Sequence, residues 1–324
     1  MSERDPEVRI HADQVYSHAG GSERLADIYI PAAANAPLPV VIWLHGGGWR
    51  FGDRRLAPDL GLFARESGLA IVSIDYRLSD EVKFPLPVED VKTAVRWVRK
   101  VASSFGFDRE HIGLWGSSAG AHLAACAALS REEQFLSEEH PGFSSAVQAV
   151  VDGYGPTNFA RIDEDRSSMR SIGNDAESIL VGTLLPAGDP DSFESRHIGA
   201  AVNKSSQKVK LADPVHYVCS VSPPFLILHG EADTLIPCNQ SRYLFDALSA
   251  AGNDVTLVLF QNLKHGFFNN PNLAREEYGI VSMHRSATNH TIWSCDSTET
   301  IPSMVSSFFR KYLVIFEAVQ RKLP

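Results

Sequence analysis

Residues 111–129, HIGLWGSSAGAHLAACAAL, carry an apolar strand into Gly116-Ser117-Ser118-Ala119-Gly120 and straight on into an alanine-rich helical run. A chain that passes from strand to helix within so short a turn has few conformations open to it. The residue at the apex must take a strained backbone, and its neighbours two positions away must be small, as Gly116 and Gly120 are. The apical side chain then stands clear of the sheet, over the amino end of the following helix. Gly-x-Ser-x-Gly alone is a weak signal. With Gly and Ser each at about 0.07 of residues, it arises by chance in about one chain in ten of this length. The strand before it and the helix after it favour Ser118 as a nucleophile over a simple turn serine.

A second glycine cluster needs a reason of its own. VVIWLHGGGWRFGD, residues 40–53, ends an apolar run on Gly46, Gly47 and Gly48. Adjacent glycines cost backbone entropy on folding and offer nothing to pack. What they provide is bare main chain that a ligand can approach closely. A nucleophilic serine needs a base, and the base needs an orienting acid. In strand–turn–helix hydrolytic sites the chain order is Ser, then Asp or Glu, then His. PPFLILHGEADTLIP ends one strand and sets Asp233 just past it; VTLVLFQNLKHGFF ends another and sets His265 in the next loop. Open α/β sheets build their sites at those carboxyl ends. Acyl transfer develops an oxyanion, and each main-chain donor aimed at it is worth about 10²–10³ in rate. The amides of Gly47, Gly48 and Ala119 are the candidates for that role.

The remaining polar residues near these motifs read more plainly. Glu231 competes with Asp233 as the acid. The chain has 12 histidines, so position and not residue type selects His265. His45 is expected to hold the glycine loop by hydrogen bonding, His122 to pack or lie at the surface, and His229 to be a structural hydrogen-bonder. Asp75, Arg77 and Asp90 read as a buried polar network supporting the sheet. Trp49, Phe51, Tyr154 and Phe267 adjoin motif residues and are candidates for a substrate pocket, with core packing as the competing reading.

The chain has 324 residues, 44% of them hydrophobic, enough for one large core. Strand candidates are 7–17, 24–31, 39–45, 69–76, 111–116, 147–153, 224–229 and 254–261. The middle ones are continuous apolar runs, as in a parallel sheet covered by helices on both faces. Between them, PLPVEDVKTAVRWVRKVASSFG puts Val88, Val91, Ala94, Val95, Val98 and Ala102 on one helical face, with Gly106 as the stop. The fold class is therefore α/β: a single domain with a mostly parallel eight-stranded sheet. The stretch 156–215 loses this rhythm and reads as a small helical cap inserted between two strands. The stretch 269–299 reads as an irregular excursion. A net charge of −9 and the lack of any basic tract argue against nucleic acid. No apolar run is long enough for a membrane span, and the first residues carry no apolar signal segment. Cys126, Cys219, Cys238 and Cys295 are scattered, which fits free thiols in a reducing, cytoplasmic setting.

HGGGW, GSSAG, HGEAD and KHGF together resemble the α/β-hydrolase carboxylesterases, in their hormone-sensitive-lipase-like and feruloyl-esterase-like branches. DYRLSDEVKFPLPVEDVKTAVRWV, YGPTN and ADPVHYVCSVSPPFLILHG read like the same group, so the resemblance covers roughly residues 24–268 and the last helix. It implies a serine esterase with Ser118 as nucleophile, His265 as base and Asp233 as its orienter. It also implies an oxyanion hole from Gly47, Gly48 and Ala119, a small-molecule ester substrate, and neither cofactor nor metal. Relatives often dimerise through edge strands or the last helix, so a homodimer stays open. Many hormone-sensitive-lipase-like members carry an acid just before the nucleophile. Ser117 stands there instead, which shifts the expectation toward feruloyl-esterase-like or formamidase-like enzymes. An aryl formamidase using the same triad is thus the alternative. A non-catalytic ligand receptor, as in plant gibberellin receptors, is a remote one, because such receptors lose the base and this chain keeps Ser, Asp and His.

Overall fold

Alternate residues of a strand face opposite sides of a sheet, so a strand apolar at every position needs cover on both. LPVVIWL (38–44) is such a strand. Val40, Ile42 and Leu44 enter one core and Val41 and Trp43 the other. The computed structural model describes residues 7–33, 37–169, 184–203, 207–273, 278–286, 290–295 and 299–314. In order the elements are β1 (Val8–Ser17), β2 (Arg24–Pro31), β3 (Leu38–Leu44), α1 (Leu60–Ser67), β4 (Ala70–Ile74), α2 (Leu86–Phe105), β5 (Phe107–Ser117), α3 (Ala119–Leu129) and β6 (Ala149–Gly153). They continue with α4 (Ile162–Met169), α5 (Phe193–Ile198), α6 (Gln207–Ala212), β7 (Phe225–Gly230), α7 (Asn239–Ala250), β8 (Val255–Phe260), β9 (Ile280–Arg285), β10 (His290–Cys295) and α8 (Ile301–Leu313). No helix among the described residues is long and apolar enough to cross a membrane.

The strands form one sheet in the order β1-β2-β4-β3-β5-β6-β7-β8-β9-β10. From β4 to β8 every pairing is parallel. β1 and β2 on one flank, and β9 and β10 on the other, run antiparallel. Apolar residues of α2, α3 and α7 fill one core, and those of α1 and α8 fill the other. All eight expected strands are present. The excursion 269–299, expected to be irregular, contains β9 and β10, which widen the sheet to ten strands among the described residues. A strand at an antiparallel flank need not be apolar throughout. IVSMHR carries Ser, His and Arg and so lacks the continuous apolar signature of the middle strands.

α2 shows how the local rules operate. Its six expected apolar positions are buried, and Gly106 ends it in the left-handed region at φ 72°. Its other faces are buried too. Lys92 Nζ donates to the Arg131 and Gln134 carbonyls at 2.6 and 2.7 Å. Arg96 binds the Ser137 and His140 carbonyls, and Arg99 those of Ser144 and Ala146. Three cations on one helix thus pin the connection between α3 and β6. The polar group expected around Asp75, Arg77 and Asp90 divides in two. Arg77 pairs with Asp90 and Glu89, whereas Asp75 joins Asp13 and Asp27 around Arg54.

Between β6 and β7 the described chain is helical and short-stepped: α4, α5 and α6, with single turns at Phe159–Arg161 and Pro214–Tyr217. Its α5 packs on the glycine loop. Phe193 meets Phe51 edge-on at 6.1 Å, and His197 stacks on Trp49 at 4.5 Å.

Candidate active site

The strand-to-helix turn closes as its sterics demand. Ser118 stands at φ 52°, ψ −117°, directly ahead of α3. A Cβ on Gly120 would lie 2.2 Å from the Leu44 carbonyl oxygen, and one on Gly116 2.4 Å from the Ala121 nitrogen. Only residues without side chains let β3, β5 and α3 meet there. The Ser118 amide donates to the Gly153 carbonyl at 2.8 Å, which ties the turn to β6.

Asp233 and His265 reach the same point from β7 and β8. His265 Nε2 lies 2.9 Å from Ser118 Oγ, and its Nδ1 lies 2.7 Å from Asp233 Oδ2. With Nδ1–H donated to the carboxylate, Nε2 is left to accept the serine hydroxyl proton. Asp233 is fully buried, and its Oδ1 accepts from the Leu235 and Ile236 amides at 3.0 and 2.9 Å. Burial by itself would raise its pKa. The facing His265 ring and a hydrogen bond from His229 outweigh that and hold the carboxyl well below the usual carboxylate range. His229 is anchored by the Ser241 hydroxyl and the Ile236 carbonyl, both at 2.7 Å. Glu231, the competing acid, points to Arg242 at 3.8 Å.

The glycine loop stands beside Ser118. Gly47 and Gly48 have φ of 113° and 60°, a region open mainly to glycine. Among the described residues the amides of Gly47, Gly48 and Ala119 donate to no main-chain carbonyl or side chain, and all three residues line the cavity that contains Ser118 and His265. The loop is braced from outside. His45 Nδ1 lies 2.7 Å from the Gly46 carbonyl, and its ring stacks on Tyr76 at 4.2 Å. Burial lowers the His45 pKa. The Trp49 indole donates to His122 Nδ1 at 3.2 Å, and His122 Nε2 donates to the Ala212 carbonyl at 2.7 Å. Burial pushes His122 down to about 4, which keeps it neutral for this relay. His122, expected to pack or lie at the surface, thus also links α3 to the glycine loop.

The cavity holds about 290 Å³. Trp49 and Phe51 line it, as do Phe193, Leu235 and Ile236. For Tyr154 and Phe267, candidates for either the pocket or the core, the structure takes the core reading: neither is on the wall of this cavity. Tyr154 is fully buried, packs edge-on against the His265 ring at 4.9 Å and bonds Ser117 Oγ at 3.0 Å. Phe267 packs on Tyr154 at 4.5 Å. Their place in the sequence, next to motif residues, put them behind the site. Arg166 and Glu194 line the cavity and were not foreseen. They come from a stretch with no periodicity, so nothing in the chain order points to them. Among the described residues no group of three or more His, Cys, Asp or Glu side chains is placed to hold a metal ion.

The BD-FAE family model matches residues 26–248. Esterase LipQ of Mycobacterium tuberculosis is 35% identical over 255 residues, 76% of this chain and 55% of that protein. A truncated form of a carbohydrate esterase from gut microbiota superposes with a TM-score of 0.69 at 26% identity, over 82% of this chain and 91% of the other. Butyrate-bound esterase Est2 of Thermogutta terrifontis superposes with a TM-score of 0.63 at 27% identity, over 81% and 86%. The chain spans about half the length of the curated relatives it matches.

Proposed function

The chain belongs to the BD-FAE family of α/β-hydrolase carboxylesterases, and from that membership we propose that it hydrolyses small to medium uncharged carboxylic esters through an acyl-enzyme on Ser118. The observation that carries this reading is the Ser118–His265–Asp233 relay, with contacts of 2.9 and 2.7 Å, opening into a cavity of about 290 Å³. Ser118 Oγ attacks the ester carbonyl while His265 Nε2 takes its proton. Asp233 holds the ring in place and stabilises the imidazolium that forms. The tetrahedral oxyanion rests on the Gly47, Gly48 and Ala119 amides, which donate to no other group among the described residues. His265 then protonates the leaving alcohol. Water enters, gives its proton to His265 and releases the acid, restoring Ser118.

The test is p-nitrophenyl acetate hydrolysis. Ser118→Ala is expected to lower kcat by at least about 10³, with the fold retained by circular dichroism. Equal rates in the two proteins would end the proposal. A preference of several orders for N-formylkynurenine over aryl esters would replace the ester reading with the formamidase one.

A further inference from the structure

Arg166 and Glu194 place an ion pair in the wall of the cavity that holds Ser118 and His265. Arg166 Nη2 lies 2.7 Å from Glu194 Oε1, and the two side chains are 6% and 3% exposed. Arg166 comes from α4 and Glu194 from α5. The guanidinium Nε also donates to the Leu235 carbonyl at 2.9 Å, beside the loop that carries Asp233. The pair therefore fastens two helices to that loop. Fastening alone does not call for charge: a buried ion pair gains little over apolar side chains of similar volume, because desolvation of both ions offsets their attraction. Apolar Phe193, Leu235 and Ile236 already supply much of the wall.

Among the described residues the pair also has hydrogen-bonding capacity left over. There Glu194 bonds through Oε1 alone, and Arg166 Nη1 lies 3.8 Å from Asp163 Oδ1, beyond hydrogen-bond distance. An acceptor and a donor set together match one hydroxyl, which accepts from the guanidinium and donates to the carboxylate. A charged group would meet both signs at once, since Arg166 and Glu194 already neutralise each other, and so gains no net charge complement there. We propose that Arg166 and Glu194 form a subsite that selects an uncharged, hydroxyl-bearing group on the ester. The inference rests on ester hydrolysis at Ser118 and names what the enzyme prefers there.

The experiment compares esters matched in size. p-Nitrophenyl 3-hydroxybutyrate against p-nitrophenyl butyrate places the hydroxyl on the acyl side. Cyclohexane-1,2-diol monoacetate against cyclohexyl acetate places it on the alcohol side. In one arm the wild-type protein is expected to favour the hydroxylated ester in kcat/KM by at least about tenfold, since a site built to bind a hydroxyl rejects the analogue that lacks it. Glu194→Gln and Arg166→Met are each expected to bring that ratio toward one. A wild-type ratio near one in both arms would overturn the subsite. So would variants that slow both members of a pair equally, which is what fastening alone predicts. If Arg166→Met fails to fold, the wild-type ratios and the isosteric Glu194→Gln still decide. If the wild-type protein cleaves none of the four esters, the ester-hydrolase reading falls first and takes the subsite with it. Cleavage of the plain esters without discrimination removes the subsite alone.

Discussion

At Ser118 the φ of 52° and ψ of −117° cost a non-glycine residue about 1–3 kcal/mol and persist only where neighbours enforce them. Gly116, Gly120 and the Gly153 carbonyl do so, and the result is a hydroxyl fixed in front of His265. The same logic holds for Asp233, whose two carboxylate oxygens are both occupied: Oδ1 by the Leu235 and Ile236 amides, Oδ2 by His265. Asp233→Asn preserves shape but removes the charge that sets the imidazole tautomer. It is expected to lower kcat for p-nitrophenyl acetate by about 10⁴, with a circular dichroism spectrum like that of the parent. A loss below tenfold would mean that His265 is oriented by something other than Asp233.

At the scale of elements, α2 does more than cover the sheet. Burial pushes Lys92 down to about 8, and Arg96 and Arg99 are 5% exposed, yet all three spend their donors on main-chain carbonyls of the segment between α3 and β6. That segment follows α3, the helix that opens just after Ser118, so α2 holds it without touching the cavity. Arg99→Met keeps the aliphatic stem and leaves the Ser144 and Ala146 carbonyls unpaired. Urea denaturation is expected to give a stability loss of about 1–3 kcal/mol, with kcat unchanged. An unmoved midpoint would show that water replaces the guanidinium at no cost. β9 and β10 make the matching point on the far flank, where the chain that has just delivered His265 returns to pair with β8.

For the whole molecule, buried carboxyls give stability a pH dependence. Burial raises Asp213 to about 7, against the pull of one hydrogen bond from the Phe159 amide. Burial likewise raises Asp152 to about 6, with the Gly155 amide on Oδ1. In the unfolded chain both release their protons near pH 4. Between about pH 4 and about 7 these two carboxyls hold more protons in the folded state than in the unfolded one, and their contribution to stability falls as pH rises; His45 and His122, lowered by burial, contribute in the opposite sense over the same range. Asp233 shares that opposite sign, but its effect is confined to the acid side of about pH 4. Asp213→Asn keeps an acceptor for the Phe159 amide and no longer titrates. Denaturation at about pH 5 and about pH 7.5 is expected to show that stability relative to the parent rises between the two for this variant, since it lacks the Asp213 contribution that falls. An unchanged difference between variant and parent would assign no pH dependence to Asp213.

By itself the sequence determined the α/β class, the middle strands, α2 with its stop at Gly106, and that Ser118, Asp233 and His265 stand at strand ends from which they meet. Each follows from a rule acting over a few residues: an apolar run long enough for a strand, a turn too tight for a side chain, an acid or imidazole placed just past a strand end. Tertiary structure alone decided that Asp75 joins Arg54 and not Arg77, that Tyr154 and Phe267 stand behind His265, that β9 and β10 extend the sheet, and that Arg166 and Glu194 meet in the cavity wall. Those outcomes depend on which distant surfaces pack together. Burial and pairing across tens of residues leave no periodic trace in the chain that produces them.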